Sequence, residues 1–142
     1  MRVTEAQARK LLKNTLPASE VRGKADVRKV NPYDPYDSKT DMVWAKVGGT
    51  VLQGKIGKRI VVVRYHPFIF VLPGETYKID FMMIAEDGFH YMVECKGSKK
   101  AKNYRDARSK LRASAEIHPY WNFLLAVWPD QRNELGWDVE FL

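Results

Sequence analysis

Asp80, Glu94 and Lys96 are the residues of this chain whose types and spacing are suited to chemistry on a phosphodiester. They lie in Tyr77-Lys78-Ile79-Asp80-Phe81 and Val93-Glu94-Cys95-Lys96-Gly97, which read as consecutive β-strands joined by Glu86-Asp87-Gly88. Two carboxylates can hold a hard divalent cation that binds water and a scissile phosphate. A lysine beside them can stabilise the charge that develops on phosphorus or orient the attacking water. An amphipathic hairpin with solvated outer charges would show the same residue types, so the elements that position these three decide the matter.

Side chains alternate across a strand with a period of two. His90, Met92, Glu94 and Lys96 therefore share one face, and Tyr91, Val93 and Cys95 the other. In the preceding strand Lys78, Asp80, Met82 and Ile84 oppose Tyr77, Ile79, Phe81 and Met83. Register follows loop length. A two-residue Asp87-Gly88 loop puts Asp80 opposite Cys95, on the wrong side. A three-residue loop with Gly88 left-handed pairs Ala85 with Phe89 and sets Asp80 opposite Glu94, with Cβ atoms roughly 5 Å apart. The three-residue loop is the expectation. Like charges so placed destabilise a sheet that has no cation to hold.

Ile79-Asp80 followed by Glu94-Cys95-Lys96-Gly97 resembles the signature of PD-(D/E)XK nucleases, with Ile at the often variable proline position. A β-rich stretch from Arg59 to Leu72 precedes it. A basic helix, about Asn103 to Ile117, and a buried strand, Asn122 to Trp128, follow. This order is similar to the restriction-endonuclease-like core, and Glu-x-Lys-Gly resembles small phage or Holliday-junction-resolvase members. The likeness covers roughly residues 60–128. It implies that Asp80 and Glu94 bind Mg²⁺, that the Cys95 backbone carbonyl is a further ligand, and that Lys96 is the catalytic lysine. Mn²⁺ should substitute. Many such nucleases add an acid from an N-terminal helix; Glu5, Glu20 and Glu75 are the candidates, and the choice among them stays open.

A chain of 142 residues, 45% hydrophobic, is sized for one domain. Its expected parts are an N-terminal helix and irregular or β extension over 1–58 and a catalytic core over about 59–142. No apolar run is long enough to cross a membrane, the N-terminus lacks a signal core, and a single cysteine suits a reducing compartment. These point to a reducing cytoplasm, and the resemblance implies a prokaryotic or phage-infected cell. Cys95 is expected to face away from the acids as a small buried hydrophobe.

Net charge is +7, and its distribution is more informative than its sum. Lys99, Lys100, Lys102, Arg105, Arg108, Lys110 and Arg112 follow the Lys96 strand directly, opposed only by Asp106. Tyr104, Ala107, Leu111 and Ala115 fall at helical spacing and should pack on the sheet, leaving an Arg105, Arg108 and Arg112 stripe for a DNA backbone.

Thr4 to Leu16 reads as a helix ended by Pro17. Asn31 to Asp37 repeats Pro-Tyr-Asp and reads as a loop. Its acids and Asp41 lack the spacing of a calcium loop and read as solvated; Tyr33 and Tyr36 are weaker candidates for stacking on a base. Met42 to Val51 reads as a hairpin turning at Gly48-Gly49, and Trp137 to Leu142 as a final edge strand. His66, before Pro67, reads as structural. His90 lies about 13 Å along the strand from Glu94, too far to share a metal.

The expected fold is α/β, a mixed β-sheet flanked by helices with a restriction-endonuclease-like core. The expected function is a Mg²⁺-dependent DNA endonuclease acting in recombination, replication or repair, as a homodimer or part of a larger complex. The alternatives are a catalytically silent nucleic-acid-binding domain and a structural or interaction protein with an aromatic-rich β region.

Overall fold

A computed structural model describes residues 31–142. The N-terminal helix read over Thr4 to Leu16, together with Glu5 and Glu20, lies outside the described residues. Every described helix and strand belongs to a compact unit comprising Pro35–Leu142.

Helix α1, Lys39–Ile56, opens that unit and overturns the hairpin expected at Met42 to Val51. Ser38 caps it, accepting the Asp41 N–H at 3.2 Å, and Gly57 closes it in the left-handed region at φ 70°. Gly48-Gly49 lies inside this helix and is not a turn, and Gly48 is a packing device. The Trp44 indole lies over Gly48, where a Cβ would stand 2.5 Å from the ring. Val43, Trp44, Val47, Val51 and Leu52 are buried along the same helix. The folded core therefore includes much of the segment expected to be an extension.

The strands are β1 (Ile60–Tyr65), β2 (Ile69–Leu72), β3 (Glu75–Lys78), β4 (Phe81–Ala85), β5 (His90–Lys96), β6 (Asn122–Val127) and β7 (Asp138–Phe141); helix α2, Tyr104–Ile117, joins β5 to β6. The main sheet runs β1-β4-β5-β6-β7. Only β5 and β6 are parallel, as an intervening helix permits; the other pairs are antiparallel. β2 and β3 form a separate two-stranded sheet. The mixed α/β architecture agrees with the sequence, and β7 is the expected edge strand.

Each face of the sheet has its own core. Val43, Trp44, Val47 and Leu52 of α1 pack on Phe81, Met83, Val93, Cys95 and Leu124. On the other face Leu111 of α2 and Phe70, Leu72 and Tyr77 of the small sheet pack with Met92, Phe123 and Leu125. Leu124 and Leu125 are both fully buried, as expected of a central strand covered on both sides.

Tyr77 to Ile84 is not one strand. β3 ends at Lys78 and β4 begins at Phe81. Tyr77 and Ile79 belong to the α2-side core, Phe81 and Met83 to the α1-side core. Asp80 stands at the break.

A carboxylate cluster at one end of the sheet

The β4–β5 pairing fixes the centre of the site. Met83 lies opposite Tyr91 and Phe81 opposite Val93, where the ladder ends, so Asp80 and Glu94 are the next residues beyond the last pair. The turn is the three-residue one, with Gly88 at φ 87° and the Ala85 N–H donating to the Phe89 carbonyl at 3.0 Å. Because β1, β4 and β5 alternate in direction, the end of β1, the start of β4 and the end of β5 meet at one edge of the sheet. The first turn of α1 reaches the same place.

Asp80 leaves the strand ladder and becomes a hub. Its carbonyl accepts the His66 N–H at 2.8 Å, and its Oδ2 accepts the Cys95 N–H at 2.9 Å. Across from it Glu94 is buried, with Oε2 accepting the Tyr77 hydroxyl at 2.6 Å. Lys96 Nζ lies 3.5 Å from Glu94 Oε1. Glu94 and Lys96 also line a cavity of about 220 Å³ together with Lys78, Asn103 and Lys110.

The third acid is Asp41, which sequence reasoning had set aside as solvated. It is buried on α1, and its Oδ2 accepts the Tyr65 hydroxyl at 3.0 Å. Carboxylate oxygens of Asp41 and Asp80 and the Cys95 sulfur lie within 4.8 Å of one another. Cys95 is buried as expected, but its thiol does not face away from the acids. Asp80 reaches around the sheet edge to the Cys95 side, where α1 brings Asp41. Burial pushes the thiol pKa well up, helped by the neighbouring acids, so at neutral pH it is a protonated bystander.

Of the candidate acids only Glu75 is among the described residues, and it belongs to neither carboxylate group. Glu75 is exposed on β3 and sits 3.7 Å from Lys110 Nζ. Tyr36 packs edge-on against Tyr65 at a centroid distance of 4.9 Å and partly fills the α1-side core, which removes it as a free stacking surface. His90 stacks on Trp121, in keeping with its exclusion from the site.

Electrostatics mark the cluster. Burial, then Glu94, then Asp41 push the Asp80 carboxyl up to about 9. Burial likewise raises Glu94, opposed by the Tyr77 hydrogen bond and Lys96, and raises Asp41, opposed by Tyr65. Asp80 is thus raised by acids on two sides, Glu94 and Asp41, with Lys96 the cation beside Glu94. Such an arrangement is costly unless a cation neutralises it.

The basic run lies next to this end of the sheet. Lys99, Lys100, Lys102, Arg105 and Arg112 are exposed. Arg108 departs from expectation. Its guanidinium is bound to Glu140 on β7, with Nε 3.1 and 3.2 Å from the two carboxylate oxygens, so it ties helix to sheet and is not free for phosphate. Lys110 similarly faces Asp106 at 3.1 Å. Ala107 and Leu111 are buried on the inner face of α2, as their spacing required.

Among the described residues no helix is long and apolar enough to cross a membrane. No protein-family model, no curated protein and no solved structure matches the chain.

Proposed function

We propose that the chain is a Mg²⁺-dependent DNA endonuclease of the PD-(D/E)XK type. The observation that carries this reading is that Asp80 Oδ2 accepts the N–H of Cys95, the residue between Glu94 and Lys96, with Lys96 Nζ 3.5 Å from Glu94. The order α1, β1, the β4–β5 hairpin, α2, β6 supports it too. It agrees with a restriction-endonuclease-like core into which β2–β3 is inserted as an extra hairpin. Asp41 then fills the place of the acid that many such nucleases supply from their first helix.

The residues fit a hard cation. Carboxylate oxygens of Asp80 and Asp41 come within 4.8 Å of one another and Glu94 is an electrostatic neighbour of Asp80. With the Cys95 carbonyl that the resemblance implies, these would offer oxygen donors of the kind Mg²⁺ takes, and a positive charge would relieve their crowding. When bound, the ion supplies Lewis-acid stabilisation of phosphoryl oxygen and lowers the pKa of water. The chain's own residues do the rest. The Cys95 N–H and the Tyr77 hydroxyl hold the Asp80 and Glu94 carboxylates in place. Lys96 stabilises charge developing on phosphorus. Exposed Lys99, Lys100, Lys102, Arg105 and Arg112 grip the DNA backbone.

Products would carry 5′-phosphate and 3′-hydroxyl ends. The cellular role proposed is recombination, replication or repair in a prokaryotic or phage context, as a homodimer or within a larger complex. Incubation with labelled duplex, single-stranded and four-way-junction DNA in Mg²⁺, Mn²⁺ or EDTA tests the reading. Metal-dependent cuts support it, and the preferred substrate defines the task. DNA binding without cleavage in either metal would favour the silent binding domain.

A further inference from the structure

We propose that a second divalent cation site, preferring Mn²⁺ to Mg²⁺, lies beside the Asp80–Glu94 pair and is held by Asp37, Asp41 and His66. The inference deepens the nuclease reading, on which its catalytic purpose rests, while the binding itself stands on separate geometry.

One ligand atom from each of the three residues lies within 4.8 Å of the others. Asp41 also lies within 4.8 Å of Asp80, so the two positions would be adjacent and share Asp41. His66 Nε2 stands 3.5 Å from Asp37 Oδ2 and 3.8 Å from Asp80 Oδ1. Both distances exceed a hydrogen bond, yet the nitrogen is aimed at a group of carboxylates. This spacing leaves room for an ion between the donors, as a direct imidazole–carboxylate bond would not.

The imidazole is held in place before any ion arrives. His66 has φ 46°, its N–H is bound to the Asp80 carbonyl at 2.8 Å, and its ring stacks on Tyr65 at 3.7 Å. The Tyr65 hydroxyl serves both acids: it donates to Asp41 Oδ2 at 3.0 Å and accepts the Asp37 N–H at 2.9 Å. Hydrogen bonding of that kind orients metal-binding carboxylates. The Asp37 side chain is 71% exposed, which gives an ion a route in. An imidazole among carboxylates suits first-row transition ions, whereas Mg²⁺ prefers oxygen alone and keeps its water.

The test uses the full chain titrated with Mn²⁺ and read by electron paramagnetic resonance, with Mg²⁺ titrated by calorimetry. Expected are two Mn²⁺ and one Mg²⁺ per chain, with nitrogen coupling to Mn²⁺ in spin-echo spectra. Asp37→Asn, on an exposed side chain, and His66→Asn, a residue that tolerates positive φ, should each weaken one Mn²⁺ site at least about tenfold. His66→Asn should also abolish the nitrogen coupling. A single Mn²⁺ in the wild type, or two unweakened sites and persistent nitrogen coupling in His66→Asn, overturns the proposal. Two ions with nitrogen coupling but no DNA cleavage would uphold this site and remove the nuclease reading; cleavage with one ion bound would do the reverse.

Discussion

Replacing Asp80 by Asn should make the metal-free protein more stable and flatten its dependence on pH. The folded Asp80 carboxyl is raised to about 9 from an ordinary 3.8. The folded chain therefore keeps a proton that the unfolded chain has lost over that interval. Its stabilising contribution is complete below the unfolded value and is lost as pH rises through the folded one. The clean window is pH 7 to 8. Below it His66, whose folded pKa is lowered by burial, contributes a slope of opposite sign; above it thiol titration begins. One retained proton costs about 1.4 kcal/mol per pH unit, about 5 °C in Tm for a domain of this size. Asn keeps an oxygen acceptor for the Cys95 N–H and carries no charge. Asp80 retains 15% side-chain exposure, so solvent screens part of the repulsion, and the expected gain at pH 8 is about 2–3 kcal/mol. Urea denaturation in EDTA across pH 6.5–8.5 measures both quantities. A wild-type stability flat between pH 7 and 8, or an Asp80→Asn protein less stable than wild type, would refute the electrostatic reasoning. Saturating Mg²⁺ should stabilise the wild type, by about 2.7 kcal/mol at a hundredfold excess over Kd, and leave Asp80→Asn unmoved.

Lys96→Ala should slow cleavage by about 10²–10³-fold while leaving Mg²⁺-dependent stabilisation intact, measured by single-turnover kinetics and thermal melts. Tyr77→Phe removes a hydrogen bond that lowers the Glu94 pKa, so the pH midpoint for Mg²⁺ binding by calorimetry should move upward. Arg108→Ala should lower Tm, through loss of the Glu140 contact, without changing the salt dependence of DNA binding; Arg105→Ala should reduce that salt slope by about one with Tm unchanged. Gly48→Ala should destabilise by about 1–3 kcal/mol, because its Cβ would meet the buried Trp44 ring, as read by denaturant midpoint.

The parts of the site legible in the sequence were those fixed by local rules. Loop length and Gly88 set the β4–β5 register, and a period of two then placed Glu94 and Lys96 on one face. Helix α2 was visible in the spacing of Ala107 and Leu111, and β6 in its unbroken apolar run. Asp41 was missed because Gly48-Gly49 imitates a turn; Ser38 capping Asp41, and Val43, Val47 and Val51 at four-residue steps, were the available signals. The break at Asp80 had no such signal. Tyr77, Ile79, Phe81 and Met83 are all buried, in perfect alternation, but they enter two different cores. That is why Tyr77 was assigned to the face away from Glu94, whose carboxylate it in fact holds. The Arg108–Glu140 pair joins residues far apart in sequence, and a stripe of arginines on a helix does not reveal which one the sheet edge will claim.

The central claim is that Asp80, Glu94 and Lys96 act together with a divalent cation on DNA. Its most direct test is cleavage of one labelled DNA by wild type, Asp80→Asn, Glu94→Gln and Lys96→Ala at equal folded concentration, in Mg²⁺ and in EDTA, with binding followed in parallel. The account predicts Mg²⁺-dependent cutting by the wild type, its loss in all three variants, and DNA binding retained throughout. Cutting that survives in Asp80→Asn or in EDTA would contradict it.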